Sequence, residues 1–153
     1  MVEPEKLQKY SLFGGLLPDQ IKQILPHMTD EFYNAGEDVI VEGTPNDRIW
    51  FIMEGRIAVI KNNITLCELD EGNTFGEMEV LDIMPSVATI KAITPTRTIS
   101  MSNRGLREIH KSDLQSFSLI VMNLARDLSR RLRHMDEQAV QDTSRNVYDG
   151  SKI

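Results

Sequence analysis

The chain has 153 residues, 41% hydrophobic and 26% charged, with a net charge of −6 at pH 7. That size and balance suit one domain with a real core and exclude a helical membrane protein, since no apolar run approaches the roughly 20 residues that span a bilayer. Met1-Val-Glu-Pro-Glu-Lys6 lacks the basic-then-apolar pattern of a leader, and the single cysteine, Cys67, excludes an internal disulfide and points to a cytoplasmic setting.

The first third reads as helix. Leu17-Pro-Asp-Gln-Ile-Lys-Gln-Ile-Leu25 places Leu17, Ile21, Ile24 and Leu25 on one face, with Pro18 in the first turn and Pro26 closing it. From Gly36 the period changes to two. Short strands are expected at 38–41, 48–53, 56–61, 64–69, 87–93 and 97–102, separated by turns such as Glu54-Gly55, Asn62-Asn63 and Glu71-Gly72-Asn73. Many short strands at this spacing predict a small barrel, roll or sandwich. After Asn103, Leu106 and Ile109 mark a short helix. Ser112-Asp-Leu-Gln115 fits a capping box for a longer one over 113–139, about 40 Å long. Its apolar rows are Leu114, Val121, Leu128 and Met135, then Phe117 and Leu124 running into Arg131, with Ala125 and Leu132 alongside. The expected organisation is one domain over 1–141, with an N-terminal helical part (1–35), a strand region (36–103) and C-terminal helices (104–141). A flexible tail is expected over 142–153.

Charge is unevenly placed. Residues 1–103 hold 8 Lys/Arg against 16 Asp/Glu, and residues 104–153 hold 9 against 7. An acidic body disfavours non-specific nucleic-acid binding. The segment from Phe75 to Ala92, led by Gly76-Glu77-Met78 and containing Pro85-Ser86, has the layout of an anion cradle: a Gly-led turn, a short helix, a Pro and a returning strand.

Leu12-Phe13, Ala35-Gly36-Glu37, Glu42-Gly43, Asp47, Trp50-Phe51-Ile52, Glu54-Gly55, Gly72, Phe75-Gly76-Glu77-Met78, Pro85, Ala88-Thr89, Ala92 and Asn123-Leu-Ala-Arg-Asp-Leu-Ser129 occur in order and at family spacing. On these residues the chain resembles the cyclic nucleotide-binding domain of catabolite activator proteins and protein kinase A regulatory subunits, from about Leu7 to Glu137. The resemblance implies an α+β fold: an antiparallel β-roll (jelly roll) of about eight strands, N-terminal helices, a short cassette helix within 75–92 and C-terminal helices. It implies a non-catalytic regulatory sensor for a cyclic nucleotide such as cAMP or cGMP, or a related small phosphate ligand. Backbone donors would come from Gly76, Glu77 and Met78, and the ribose acceptor would be Glu77. The family's phosphate-binding Arg falls on Ser86 and its neighbour on Val87, with Thr89 completing the ligand-binding set. A degenerate domain kept for dimerisation or protein interaction is the alternative.

The residues themselves leave several roles open. Thr74-Phe-Gly-Glu77 also fits a helix capping box, so Glu77 serves either as a cap or as a ligand residue. Lys91, Arg126 and Arg130 are the candidates to replace the missing cation. Cys67 is expected to pack as a small hydrophobe, and Met53, Met78, Met84 and Met101 to fill gaps in the roll. His27, His110 and His134 share no metal-ligand spacing. No nucleophile, base and orienter set is present, so neither an enzyme nor a cofactor is expected. The helix over 113–139 suggests a homodimer or a docked protein partner, with no nucleic-acid or membrane partner.

Overall fold

The computed structural model describes the backbone of residues 2–150, and the side chains of all of these except 81 and 148–150. Eight strands form two four-stranded antiparallel sheets. One has the order β1 (Met28–Tyr33), β8 (Thr96–Ser102), β3 (Arg48–Glu54), β6 (Thr74–Phe75). The other has the order β2 (Asp38–Ile40), β7 (Thr89–Ala92), β4 (Ile57–Lys61), β5 (Ile64–Leu69). This is the jelly roll expected. Five α-helices flank it: α1 (Pro4–Leu7), α2 (Pro18–Ile24), α3 (Glu77–Asp82), α4 (Asn103–Ser112) and α5 (Leu114–Gly150).

β3 shows why the roll has two cores. Ile49, Phe51 and Met53 point outward into a cluster with Leu7, Phe13, Ile21, Ile109, Ile120 and Leu124 from the helices. Trp50 and Ile52 point inward to Ile57, Leu69, Phe75 and Ile90. With both faces covered, five consecutive residues of this strand are buried. The alternation that marks a one-sided strand is therefore replaced by an apolar run.

Several expectations are corrected. Residues 28–33 lie within the part expected to be helical, yet form β1. That strand carries Thr29, Asp30 and Glu31 and pairs with β8 along its whole length, with Arg97 donating to both Asp30 oxygens at 3.1 and 2.6 Å. The two-residue β6 is too short to show any period. Leu17 is exposed because it precedes α2 as its N-cap. Cys67 is exposed because β5 is the outer strand of its sheet. Met78 and Met84 are exposed, while Met53 and Met101 do sit in the core.

The long helix begins one residue later than the capping box implies. Asp113, not Ser112, accepts the Ser116 backbone N–H at 3.1 Å, and Ser112 Oγ donates back to Glu108 O within α4. Where a tail was expected from 142, α5 continues as helix to Gly150; residues 151–153 lie outside those described.

Candidate ligand site

Gly76 makes the cassette turn. Its φ is +83°, and a Cβ there would lie 2.7 Å from Arg48 O and 2.9 Å from Trp50 Cε3. Only glycine meets both conditions without strain. Trp50 stacks on Phe75, with ring centroids 5.4 Å apart and planes within 4°. It is core. Asn46 Nδ2 donates to Arg48 O at 2.9 Å and Gly76 O at 3.2 Å, tying the turn to β3.

Gly76 is itself the N-cap of α3, with no side-chain cap bond. The Thr74–Glu77 capping box is therefore not formed. Thr74 belongs to β6, and its carbonyl and hydroxyl are used elsewhere. α3 ends at Ile83, a β-branched residue with φ +52° and 87% of its surface exposed, a conformation that costs about 1–2 kcal/mol.

Glu77 is 1% exposed. Arg131 of α5 reaches it with Nη1 at 3.1 Å from Oε1. Arg131 Nη2 donates to Thr74 O at 2.7 Å and to Thr74 Oγ1 at 3.0 Å. One guanidinium thus closes α5 over the cassette. Burial pushes the Glu77 carboxyl above its ordinary range, while Arg131 and Glu77's own backbone N–H pull it back. Glu77 Oε2 has no hydrogen-bond partner among the described residues.

The second half of the cassette is fastened to the β2–β3 loop. Ser86 N–H donates to Thr44 O at 2.9 Å, and Ser86 O accepts from Gly43 at 2.8 Å. Ser86 is 2% exposed, and its Oγ lacks a partner among the described residues. Val87 N–H donates to the buried Glu79 at 3.3 Å, joining α3 to the segment that leads into β7. Thr89 Oγ1 accepts the Glu42 backbone N–H at 3.0 Å. The Thr89 hydroxyl thus binds within the fold, and Met78 and Val87 are exposed.

The three candidate cations all go elsewhere. Lys91 pairs with Asp38 at 3.3 Å. Arg126 bonds Asn123 at 3.2 Å and Arg130 pairs with Asp127 at 3.4 Å, both along α5 itself. Arg131 is not among those candidates, although the sequence carries a signal for it. It continues the row Phe117, Leu124, and Leu124 is in the core. An arginine at the next position of a buried stripe is aimed at the body of the protein. Asn123, on the same side, donates to Leu12 O at 3.0 Å and Gly14 O at 2.9 Å and fixes that rotation.

An apolar cavity of about 20 Å³ lies away from the cassette, between the N-terminal segment, β3, β8 and α5. No group of three metal-ligating side chains occurs among the described residues, and no described helix is long and apolar enough to cross a membrane.

The chain is similar to known proteins over most of its length. It is 27% identical over 130 residues to the cyclic AMP receptor protein of Thermus thermophilus, covering 82% of this chain and 58% of that protein. It is 28% identical over 125 residues to the human cGMP-dependent protein kinase 2, covering 82% of this chain and 16% of the kinase. The chain thus spans little more than half of the first relative and a small part of the second. A crystal structure of a cyclic nucleotide-binding domain from Methylobacillus flagellatus superimposes with a TM-score of 0.82 at 23% identity, covering 92% of this chain and 82% of that one. A family model described as the cyclic nucleotide-binding domain matches residues 30–113, more than half of the chain, with the cassette and all of the roll but the first two residues of β1. The chain belongs to the cyclic nucleotide-binding domain family, a regulatory and generally non-catalytic module.

Proposed function

We propose that this chain is a non-catalytic sensor whose cassette takes a cyclic nucleotide or a closely related sugar-bearing ligand, with α5 as the reporting element. Buried polarity without partners carries this reading. Glu77 Oε2 and Ser86 Oγ are both sealed from solvent and unpaired among the described residues. Each such group costs about 1–3 kcal/mol, more when charged. A ligand hydroxyl on Glu77 and a polar atom on Ser86 remove both costs. Gly76, Met78, Val87 and Thr89 complete the wall. Arg131 joins Glu77 to α5, so a ligand that changes the bonding of Glu77 changes the seating of the helix. That is the differential contact a two-state sensor requires.

A second reading is favoured by the same arginine. Arg131 already occupies the carboxylate, so the domain serves as an interaction module with its cassette permanently closed. In either reading α5 is the output. Val121, Ala125, Leu128, Leu132, Met135 and Ala139 recur at alternating spacings of four and three, the seam of a two-stranded coiled coil. Most of them are exposed. We propose that this seam pairs with a second copy of the chain. The single cysteine supports a cytoplasmic setting.

Calorimetric titration with cyclic AMP, cyclic GMP and their parent nucleosides tests the sensor reading. Saturable heat that disappears in Glu77→Ala supports it. No heat and an unchanged melting temperature for every compound leave the interaction module.

A further inference from the structure

The cassette carries charge of the wrong sign for its expected ligand. Glu77 and Glu79 are both buried beside the turn. Arg131 is paired with Glu77, and its Nη atoms are committed to Glu77 and Thr74. Lys91, Arg126 and Arg130 are engaged elsewhere. Ser86 is neutral. With both carboxylates ionised the set sums to one negative charge. With Glu77 protonated it sums to zero. Neither state offers surplus positive charge to a phosphodiester. α3, with six residues, adds little through its dipole.

The unpartnered atoms ask for something else. Glu77 Oε2 accepts and does not donate when ionised, and Ser86 Oγ both donates and accepts. Both are buried without partners among the described residues. Together they suit hydroxyl groups. Met78 and Val87, the next residues along the chain from Glu77 and Ser86, are exposed and apolar, which suits the face of an uncharged ring.

We infer that the site prefers an uncharged sugar-bearing ligand of the nucleoside class over the corresponding cyclic nucleotide, reading it by hydroxyl groups on Glu77 and Ser86. This narrows the sensor reading above and rests on it. The phosphate that a family ligand carries is here a liability. It brings a negative charge to a site whose guanidinium is already neutralised, and like charges in a poorly solvated place repel strongly.

The test compares adenosine, inosine and guanosine with their 3′,5′-cyclic monophosphates, by calorimetry on the full chain in one buffer. At least one nucleoside is expected to bind roughly tenfold or more tightly than its own cyclic monophosphate. Its affinity should change little between low and high salt. Ser86→Arg, checked for folding by circular dichroism, should reverse the order. A cyclic monophosphate that binds the native chain more tightly than its parent nucleoside overturns this preference and leaves the sensor reading standing. No binding by any of the six compounds overturns both.

Discussion

Arg131 and Glu77 form one ion pair, 3.1 Å from Nη1 to Oε1, between the last helix and the cassette. The carboxylate is buried and the guanidinium is only partly so, with 33% of its side chain exposed.

Removing the arginine strands the carboxylate. Arg131→Gln is expected to destabilise the fold by about 3 kcal/mol, the lower end for breaking a buried pair, because the guanidinium is partly solvated. Urea unfolding at neutral pH measures this. Hydrogen exchange should show faster opening around residues 125–135 of α5. Unchanged exchange there would mean that the pair does not seat the helix.

The same carboxylate sets a pH dependence. Burial raises the Glu77 pKa in the folded chain above its ordinary value of 4.5. The fold thus holds this proton more tightly than the unfolded chain does. That contribution is complete below the unfolded value and is lost as pH rises through the folded one. Glu77→Gln cannot ionise, so its stability relative to the native chain should increase as pH rises from about 4 to 7. Parallel stability curves for the two proteins over that range would mean that folding leaves the affinity of Glu77 for its proton unchanged.

Gly76 and Gly36 separate two costs. Both have positive φ, +83° and +90°. A Cβ at Gly36 meets nothing within 4 Å, whereas at Gly76 it meets Arg48 O at 2.7 Å. Gly36→Ala should cost about 1–2 kcal/mol from backbone strain alone. Gly76→Ala should cost about 2–5 kcal/mol, adding the collision with β3, and should perturb the near-ultraviolet dichroism of Trp50. Equal melting temperatures for the two variants would remove the role assigned to the close approach.

Asn123 is expected to act as the rivet between α5 and the N-terminal segment. Asn123→Leu leaves the carbonyls of Leu12 and Gly14 without their donor and should cost about 2–4 kcal/mol. Denaturant titration measures it, and a loss under about half a kilocalorie per mole would show that other donors replace the amide.

The α5 seam predicts association. Sedimentation equilibrium at tens of micromolar should show a dimer, and the Leu132→Glu, Met135→Glu double variant should sediment as a monomer with unchanged melting of the roll. A native chain that is already monomeric there removes the pairing.

Much of the architecture is legible in the chain without its fold. The strand period from Gly36, the Gly76-Glu77 turn and the terminal helices all depend on patterns a few residues long. β1 is hidden because Thr29, Asp30 and Glu31 read as polar loop, and only pairing with β8 makes them strand. The cap of α5 falls on Asp113 instead of Ser112 because α4 runs on to Ser112 and takes its hydroxyl.

The identity of the cation at Glu77 is a different kind of question. Arg130 and Arg131 are neighbours with the same chemistry, and about 100° of helix rotation separates them. Charge alone would leave both solvated, and only Arg131 continues the buried row of Phe117 and Leu124. Packing of Ile120, Asn123 and Leu124 against the N-terminal segment and the sheet sets the rotation of α5, and that rotation sends Arg131 inward and leaves Arg130 on Asp127. Periodicity along the chain marked most of the strands and the terminal helices, because it acts locally. The apolar stripe turns Arg131 toward the body, and how two distant elements meet decides that it lands on Glu77.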